Sequence, residues 1–273
     1  MLLAIDVGNT QTVLGLLEPD EDLEVVEHWR VSTDASRTAD EWAVLLDGLL
    51  ARRARDARTD LAAAADAASI DGVAVCSTVP SVLAEMREML DAGFAQVPAV
   101  VVEPGVRTGI PVLVDNPREV GTDRIINAVA AGHLYGGPAI VVDFGTATTF
   151  DAVSEQGAYL GGAIAPGIGI SLEALGQRGA QLRMVELARP RSVIGKNTVE
   201  AVQAGALYGF AGQVDGTVRR MAAELSDDPA EVTVIATGGL APVMLGEAET
   251  IDHHEPWLTL IGLGLVWARN AAR

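Results

Sequence analysis

The strand-like run Ala4-Ile5-Asp6-Val7-Gly8-Asn9-Thr10-Gln11-Thr12 has a counterpart 137 residues later, Val141-Val142-Asp143-Phe144-Gly145-Thr146-Ala147-Thr148-Thr149. An Asp-x-Gly-x-x-x-Thr pattern closing an apolar run, used twice at half the chain's length, points to a duplicated domain. Each copy sets a carboxylate at a strand end beside a turn of small residues, whose N–H groups and hydroxyls let a polyphosphate approach closely. One copy alone reads as readily as a hairpin turn, with Gly supplying positive φ and Asn the turn. The second copy shifts the balance toward phosphate binding. Two halves presenting matching turns to one cleft is the implied arrangement. Asp6 and Asp143 would then hold a hydrated Mg²⁺ or a monovalent cation against nucleotide phosphates.

A chain of 273 residues with 49% hydrophobic content has room for two cores. Pro104, Gly105, Gly109, Pro111 and Pro117 cluster between Gly105 and Val120, which sets the expected domains at 1–114 and 115–273. The net charge of -18 opposes a basic phosphate-reading face, so no nucleic-acid partner is expected and small molecules are the natural ligands. Asp6 interrupts the apolar N-terminus before a signal-peptide core can form, and no apolar run approaches the ~20 residues of a membrane span. A cytoplasmic protein with no membrane partner is expected. Cys76, the lone cysteine, ends the apolar run Gly72–Cys76 and reads as a buried small residue.

Strand and helix signals alternate, as in an α/β fold. Leu2–Val7 and Thr12–Leu17 form a hairpin pattern, and residues 39–68 carry one or two helices, with Ala51–Ala68 as a solvated face. Strand Gly72–Cys76, helix Ser81–Ala92 and strand Ala99–Val102 follow. In the second half, a Gly/Pro-rich segment, Gly161–Gly169, precedes a helix near Ser171–Leu175. Helices near Val199–Tyr208 and Val214–Leu225, strand Val232–Ala236 and a final helix after Trp257 complete the chain.

Gly121-Thr122-Asp123-Arg124 opens an apparent helix, Ile125–Ala131. Asp123 fits a helix cap or first-turn acid. That is the readier reading of the local sequence, and the other is a base that takes the proton of an attacking alcohol, with Arg124 fixing an anionic part of the acceptor. Local sequence leaves both open. Gly238-Gly239 suits a close approach to adenine or ribose as well as a plain strand-to-helix turn. His253-His254 reads as part of a solvated acidic loop, and Lys196 as a surface lysine outside any Gly-x-x-x-x-Gly-Lys-Ser/Thr loop.

Five segments together resemble the successive motifs of type III pantothenate kinases: Asp6–Thr10, Asn116–Arg124, Asp143–Thr149, Gly161–Gly167 and Gly195–Thr198. The resemblance implies two duplicated actin-like ATPase (ribonuclease H-like) domains with a cleft between them, and a homodimer. It implies transfer of the ATP γ-phosphate to pantothenate, the first step toward coenzyme A, with Mg²⁺ and a monovalent cation, K⁺ or NH₄⁺. Carried onto this chain, Asp123 resembles the general base, and Gly121, Thr122, Arg124 and Thr198 resemble pantothenate contacts. Asp6, Val7, Gly8, Asn9, Thr10, Gln11, Thr12 and Val13 resemble the first ATP-binding segment, with Asp6 facing Mg-ATP, and Thr146 the second loop's ATP contact. Asp143 resembles the monovalent-cation ligand. Val114 stands where many members carry Tyr. A non-catalytic nucleotide-binding relative, or a kinase of another small hydroxylated acid or sugar, is the alternative.

Overall fold

The computed structural model describes residues 1–18, 20, 23–56, 70–179 and 185–271. They form two compact units: Met1–Gly109 with Arg118–Ala130 and Thr259–Arg273, and Ile110–Pro117 with Ala131–Leu258. The helix expected over residues 39–68 is α1, Ala39–Asp56; the remainder of that stretch lies outside the described residues.

The first unit holds β1 (Leu2–Val7), β2 (Gln11–Leu17), β3 (Val25–Ser32), β4 (Gly72–Ser77) and β5 (Ala99–Val101) in the order β3-β2-β1-β4-β5. β1, β2 and β3 pair antiparallel, whereas β1, β4 and β5 pair parallel. The second unit repeats this with β6 (Ala139–Phe144), β7 (Ala147–Val153), β8 (Tyr159–Pro166), β9 (Thr233–Thr237) and β10 (His253–His254), ordered β10-β9-β6-β7-β8. With β6 set on β1, strand order and sense coincide, so the duplication extends from two turns to two whole sheets.

The copies differ by one residue in the turn. Val7 pairs with Thr12, and Phe144 pairs with Thr148. Four residues therefore turn the first hairpin and three the second. Thr12 corresponds to Thr148, not to Thr149 as a constant offset of 137 would have it.

Side-chain alternation gives the first sheet two apolar faces. Leu3, Ile5, Val7, Leu14, Leu16, Val73 and Val75 share one cluster with Trp42 and Leu46 of α1 and with Val82, Met86 and Leu90 of α2 (Pro80–Gly93). Truncating a side chain as buried as Trp42 to Ala costs about 3–5 kcal/mol. Gly15 and Gly72 point the other way, onto α6 (Leu258–Ala271). A Cβ at Gly15 would stand 2.5 Å from Leu260 Cδ1, and one at Gly72 2.2 Å from Trp267 Cζ2. Covered on both faces, β1 is apolar throughout except at Asp6.

Two sequence expectations give way, and a third segment, described in the sequence only by its composition, gains a strand. The Gly/Pro-rich segment 161–169 begins within β8, where Gly162 lets the strand close on β7: a Cβ there would lie 1.7 Å from Phe150 O. The two helices expected between Val199 and Leu225 are one, α5 (Thr198–Leu225). Leu207, Ala211, Val214, Val218 and Ala222 keep one apolar stripe in the core across the glycines that suggested a break, outweighing the cost of about 1 kcal/mol per helical glycine. His253 and His254 form a short strand beside β9, and His253 stacks on Tyr135 with ring centroids 4.7 Å apart.

Candidate functional site

In the first unit, β1 ends at Asp6-Val7 and the chain turns through Gly8–Gln11 into β2. Gly8 N–H donates to Gln11 O (3.1 Å), closing the turn. The ends of the neighbouring strands grip it. Thr78, after β4, donates from its N–H and its hydroxyl to Val7 O at 3.0 and 3.2 Å. Thr33, after β3, donates from its N–H to Thr10 O (3.0 Å) and from its hydroxyl to Gly8 O (2.7 Å). The Val7 side chain is wholly buried in the core and Thr12 wholly buried beneath the turn, while Asn9, Thr10 and Gln11 are exposed at its crest.

Asp6 faces Cys76 across the parallel β1–β4 pair. Burial, reinforced by the negative charge of Asp123, pushes the Asp6 carboxyl up to about 7; the Cys76 hydrogen bond opposes this. Asp123 lies in the first turn of α3, Thr122–Leu134. Thr122 anchors that turn by donating its hydroxyl to Ser77 O (3.4 Å). Burial raises the Asp123 carboxyl, while the Arg124 N–H, the Arg124 charge and its own N–H hold it down. Its Oδ1 is buried and, among the described residues, has no hydrogen-bond partner. The first-turn position met by Asp123 is the one both readings of the sequence required. An unsatisfied buried carboxylate oxygen adds what a simple capping acid lacks.

In the second unit Asp143 ends β6 as Asp6 ends β1, and Gly145 N–H donates to Ala147 O (3.0 Å) in the shorter turn. Two glycines press on this turn. A Cβ at Gly167 would lie 2.1 Å from Thr146 O, and one at Gly238, where φ is +89°, 2.3 Å from Asp143 Oδ1 and 2.7 Å from Phe144 N. Gly238 is thereby fixed by the Asp143 carboxylate as well as by its turn. Thr198 begins α5 behind the cap Asn197, whose side chain accepts from Glu200 N–H (2.9 Å). Thr198 and Lys196 line a cavity of about 640 Å³ with Ser171, Leu175, Ala206 and Phe210, the first two of these four from α4 (Ile168–Arg178). Lys196 is exposed, as the sequence suggests, and its place is at the edge of this cavity.

The type III pantothenate kinase family model matches residues 2–220. A type III pantothenate kinase of Streptomyces avermitilis is 68% identical over 273 residues, covering 100% of both chains. The chain belongs to the type III pantothenate kinase family. Another relative so named, from Thermobifida fusca, is 63% identical over 99% of this chain and 100% of its own. Among solved structures, (R)-2-hydroxyglutaryl-CoA dehydratase component A of Acidaminococcus fermentans shares the fold, with a TM-score of 0.52 and 15% identity over 100% of this chain and 99% of that one. The fold is a duplicated α/β architecture with one five-stranded sheet in each unit.

For a type III pantothenate kinase, the ligand chemistry fits these residues. A carboxyl that burial and a second carboxylate push to about 7 is a group that a cation returns to its charged state, and carboxylate oxygens suit a hard cation such as Mg²⁺. Thr33 and Thr78, which shape the first loop, were absent from the sequence reading, and Gly167 entered it only as the end of the motif Gly161–Gly167. Thr33 follows β3, whose half-buried alternation of Val, Glu, His, Trp and Arg gives a weak strand signal. No helix among the described residues is long and apolar enough to cross a membrane.

Proposed function

We infer that the protein phosphorylates pantothenate from ATP, giving 4′-phosphopantothenate at the head of coenzyme A biosynthesis, with Asp123 as the base. The observation that carries the role of Asp123 is its buried, unpartnered Oδ1 at the start of α3. A proton acceptor needs an open lone pair and a basicity above that of a free carboxylate, and burial supplies the second. In the step itself the pantothenate hydroxyl oxygen bonds to the γ-phosphorus as the bond from that phosphorus to the β,γ-bridging oxygen breaks. ADP leaves, and the hydroxyl proton goes to Asp123. Arg124, beside it, pairs with the carboxylate of pantothenate, and Gly121, Thr122 and Thr198 complete the acceptor site.

Asp6 through Val13 and Thr146 bind ATP in this reading, the exposed crest Asn9–Gln11 offering N–H groups to phosphate. Asp6 would hold Mg²⁺ and Asp143 a K⁺ or NH₄⁺, and these cations supply neutralisation of charge on the phosphates. Residues 1–114 and 115–273 are the duplicated halves in chain order. A cytoplasmic homodimer completes the proposal. Supporting the dimer, the second unit exposes Ile164 (66%), Ile194 (77%) and Val199 (50%), large apolar side chains that a partner would cover.

The decisive experiment measures phosphopantothenate formed from ATP with Mg²⁺ in K⁺, NH₄⁺ and Na⁺-only buffers. Product formation faster with K⁺ or NH₄⁺ than with Na⁺ supports both the reaction and the cation site. Product at equal rates in all three removes the cation role, and no product in any removes the acceptor assignment.

A further inference from the structure

Thr33 and Gly167 occupy the same place in the two copies. β3 runs beside β2 with Gln11 opposite Ser32, and β8 runs beside β7 with Ala147 opposite Pro166. The next residue along each edge, Thr33 or Gly167, therefore faces its loop at Thr10 or Thr146. The first copy places a hydroxyl there. The second has no side chain at all, and its backbone comes so close that a Cβ would meet Thr146 O at 2.1 Å and Gly145 O at 2.8 Å.

Counting protons defines what the hydroxyl does. Thr33 Oγ1 lies 2.7 Å from Gly8 O and 2.9 Å from Thr12 Oγ1. A carbonyl only accepts, so the single Thr33 proton goes to Gly8 O and Thr12 donates to Thr33. The chain Thr12 to Thr33 to Gly8 thus runs from the buried floor of the hairpin to the first residue of its turn. In the second copy Gly167 has no hydroxyl, and Thr148, the register counterpart of Thr12, is left buried without a hydrogen-bond partner among the described residues. The same floor threonine is satisfied where a threonine braces the loop and unsatisfied where a glycine does.

We propose that Thr33 is a positioning residue for ATP: its hydroxyl fixes the Gly8 carbonyl, and with it the Gly8–Asn9 peptide plane, and thereby holds the Asn9–Gln11 amides in their phosphate-binding orientation. The proposal rests on the reading of this loop as the first ATP-binding segment. A brace that organises the loop before ATP arrives lowers the cost of ordering it on binding. Its loss falls on ATP and leaves pantothenate untouched.

The test is steady-state kinetics of the full chain, with ATP and pantothenate varied separately, for Thr33→Val, Thr33→Ser, Thr12→Val and Thr10→Glu. Thr33→Val keeps the shape and drops the hydroxyl, and one lost hydrogen bond raises KM for ATP about five- to tenfold, with KM for pantothenate unchanged. Thr33→Ser restores the wild-type value. Thr12→Val gives the same selective rise at smaller amplitude, and carries the test should Thr33→Val fail to fold. A Thr33→Val enzyme with wild-type KM for ATP, a parallel rise in both KM values, or a Thr33→Ser enzyme as impaired as Thr33→Val overturns the brace. Thr10→Glu sets a carboxylate among the phosphates. If it leaves KM for ATP unchanged, the loop reading itself falls and the brace with it; if it raises KM while Thr33→Val does not, only the brace falls.

Discussion

The Cys76 thiol donates a 3.3 Å hydrogen bond to Asp6 Oδ1 across the β1–β4 pair. A cysteine that the sequence presents as filler for a strand interior thus supports the one charged side chain of the central strand. Burial and the Asp6 carboxylate together raise the thiol well above its ordinary value, so it stays protonated and remains a donor.

Asp6 makes the folded chain sensitive to pH in a defined direction. Its carboxyl titrates at about 7 in the folded chain against an ordinary value of 3.8. Between those values the folded state keeps a proton that the unfolded state has released, so the site's contribution to stability falls as pH rises through the window and levels off above it. Asp6→Asn removes that titration. Without nucleotide or Mg²⁺, the variant is expected to melt above wild type at pH 8, with a smaller gap at pH 5.5. Thermal melts at both values check this, and an equal gap at the two would mean that Asp6 titrates as a free carboxyl.

Asp123→Asn tests the base. The amide keeps the volume and the position at the start of α3 but cannot accept the hydroxyl proton. A drop of about 10²–10⁴-fold in kcat is expected, with KM for ATP little changed and circular dichroism unaltered. Near-wild-type kcat would return Asp123 to the role of a first-turn acid.

How much of this could be read from residues alone varied with how local each cause was. Asp6 and Asp143 were legible because an apolar run ending in Asp and small residues is local, and a second copy at half the chain's length is far harder to produce by accident than one. Asp123 was visible but ambiguous, since a helix-start acid and a base look alike in sequence; its burial and an Oδ1 without a hydrogen-bond partner among the described residues support the second reading. Thr33 was hidden because it acts through register: only when β3 lies beside β2 does its hydroxyl meet Gly8. Likewise, the glycines of α5 mimic a break, and only the stripe from Leu207 to Ala222 in the packed core shows why the helix continues.

Gly238→Ala is expected to damage the second loop. The residue has φ of +89°, a region where an L side chain is strained, and its added Cβ would press on Asp143 Oδ1 and the Phe144 amide. Both effects displace the carboxylate assigned to the monovalent cation. The variant should therefore lose K⁺ stimulation of turnover more than it loses turnover in Na⁺. Titrating K⁺ against rate distinguishes this from general destabilisation, which lowers both rates in proportion.

Ile194→Glu addresses assembly. Among the described residues Ile194 is the most exposed of the large apolar side chains, at 77%, and precedes the segment Gly195–Thr198 that lines the cavity at the start of α5. On a free surface a glutamate there costs almost nothing, and it adds to solubility. Within a dimer interface the same change buries a charge without a partner and costs several kcal/mol per assembled pair. Light scattering coupled to size exclusion is expected to give a dimeric mass for wild type and a monomeric one for the variant at micromolar concentration. Thr198 is assigned to the pantothenate site and lies four residues on, so the variant's KM for pantothenate is measured alongside. A rise confined to the monomeric form would tie acceptor binding to assembly, whereas an unchanged dimer would place the partner's contact elsewhere on the chain.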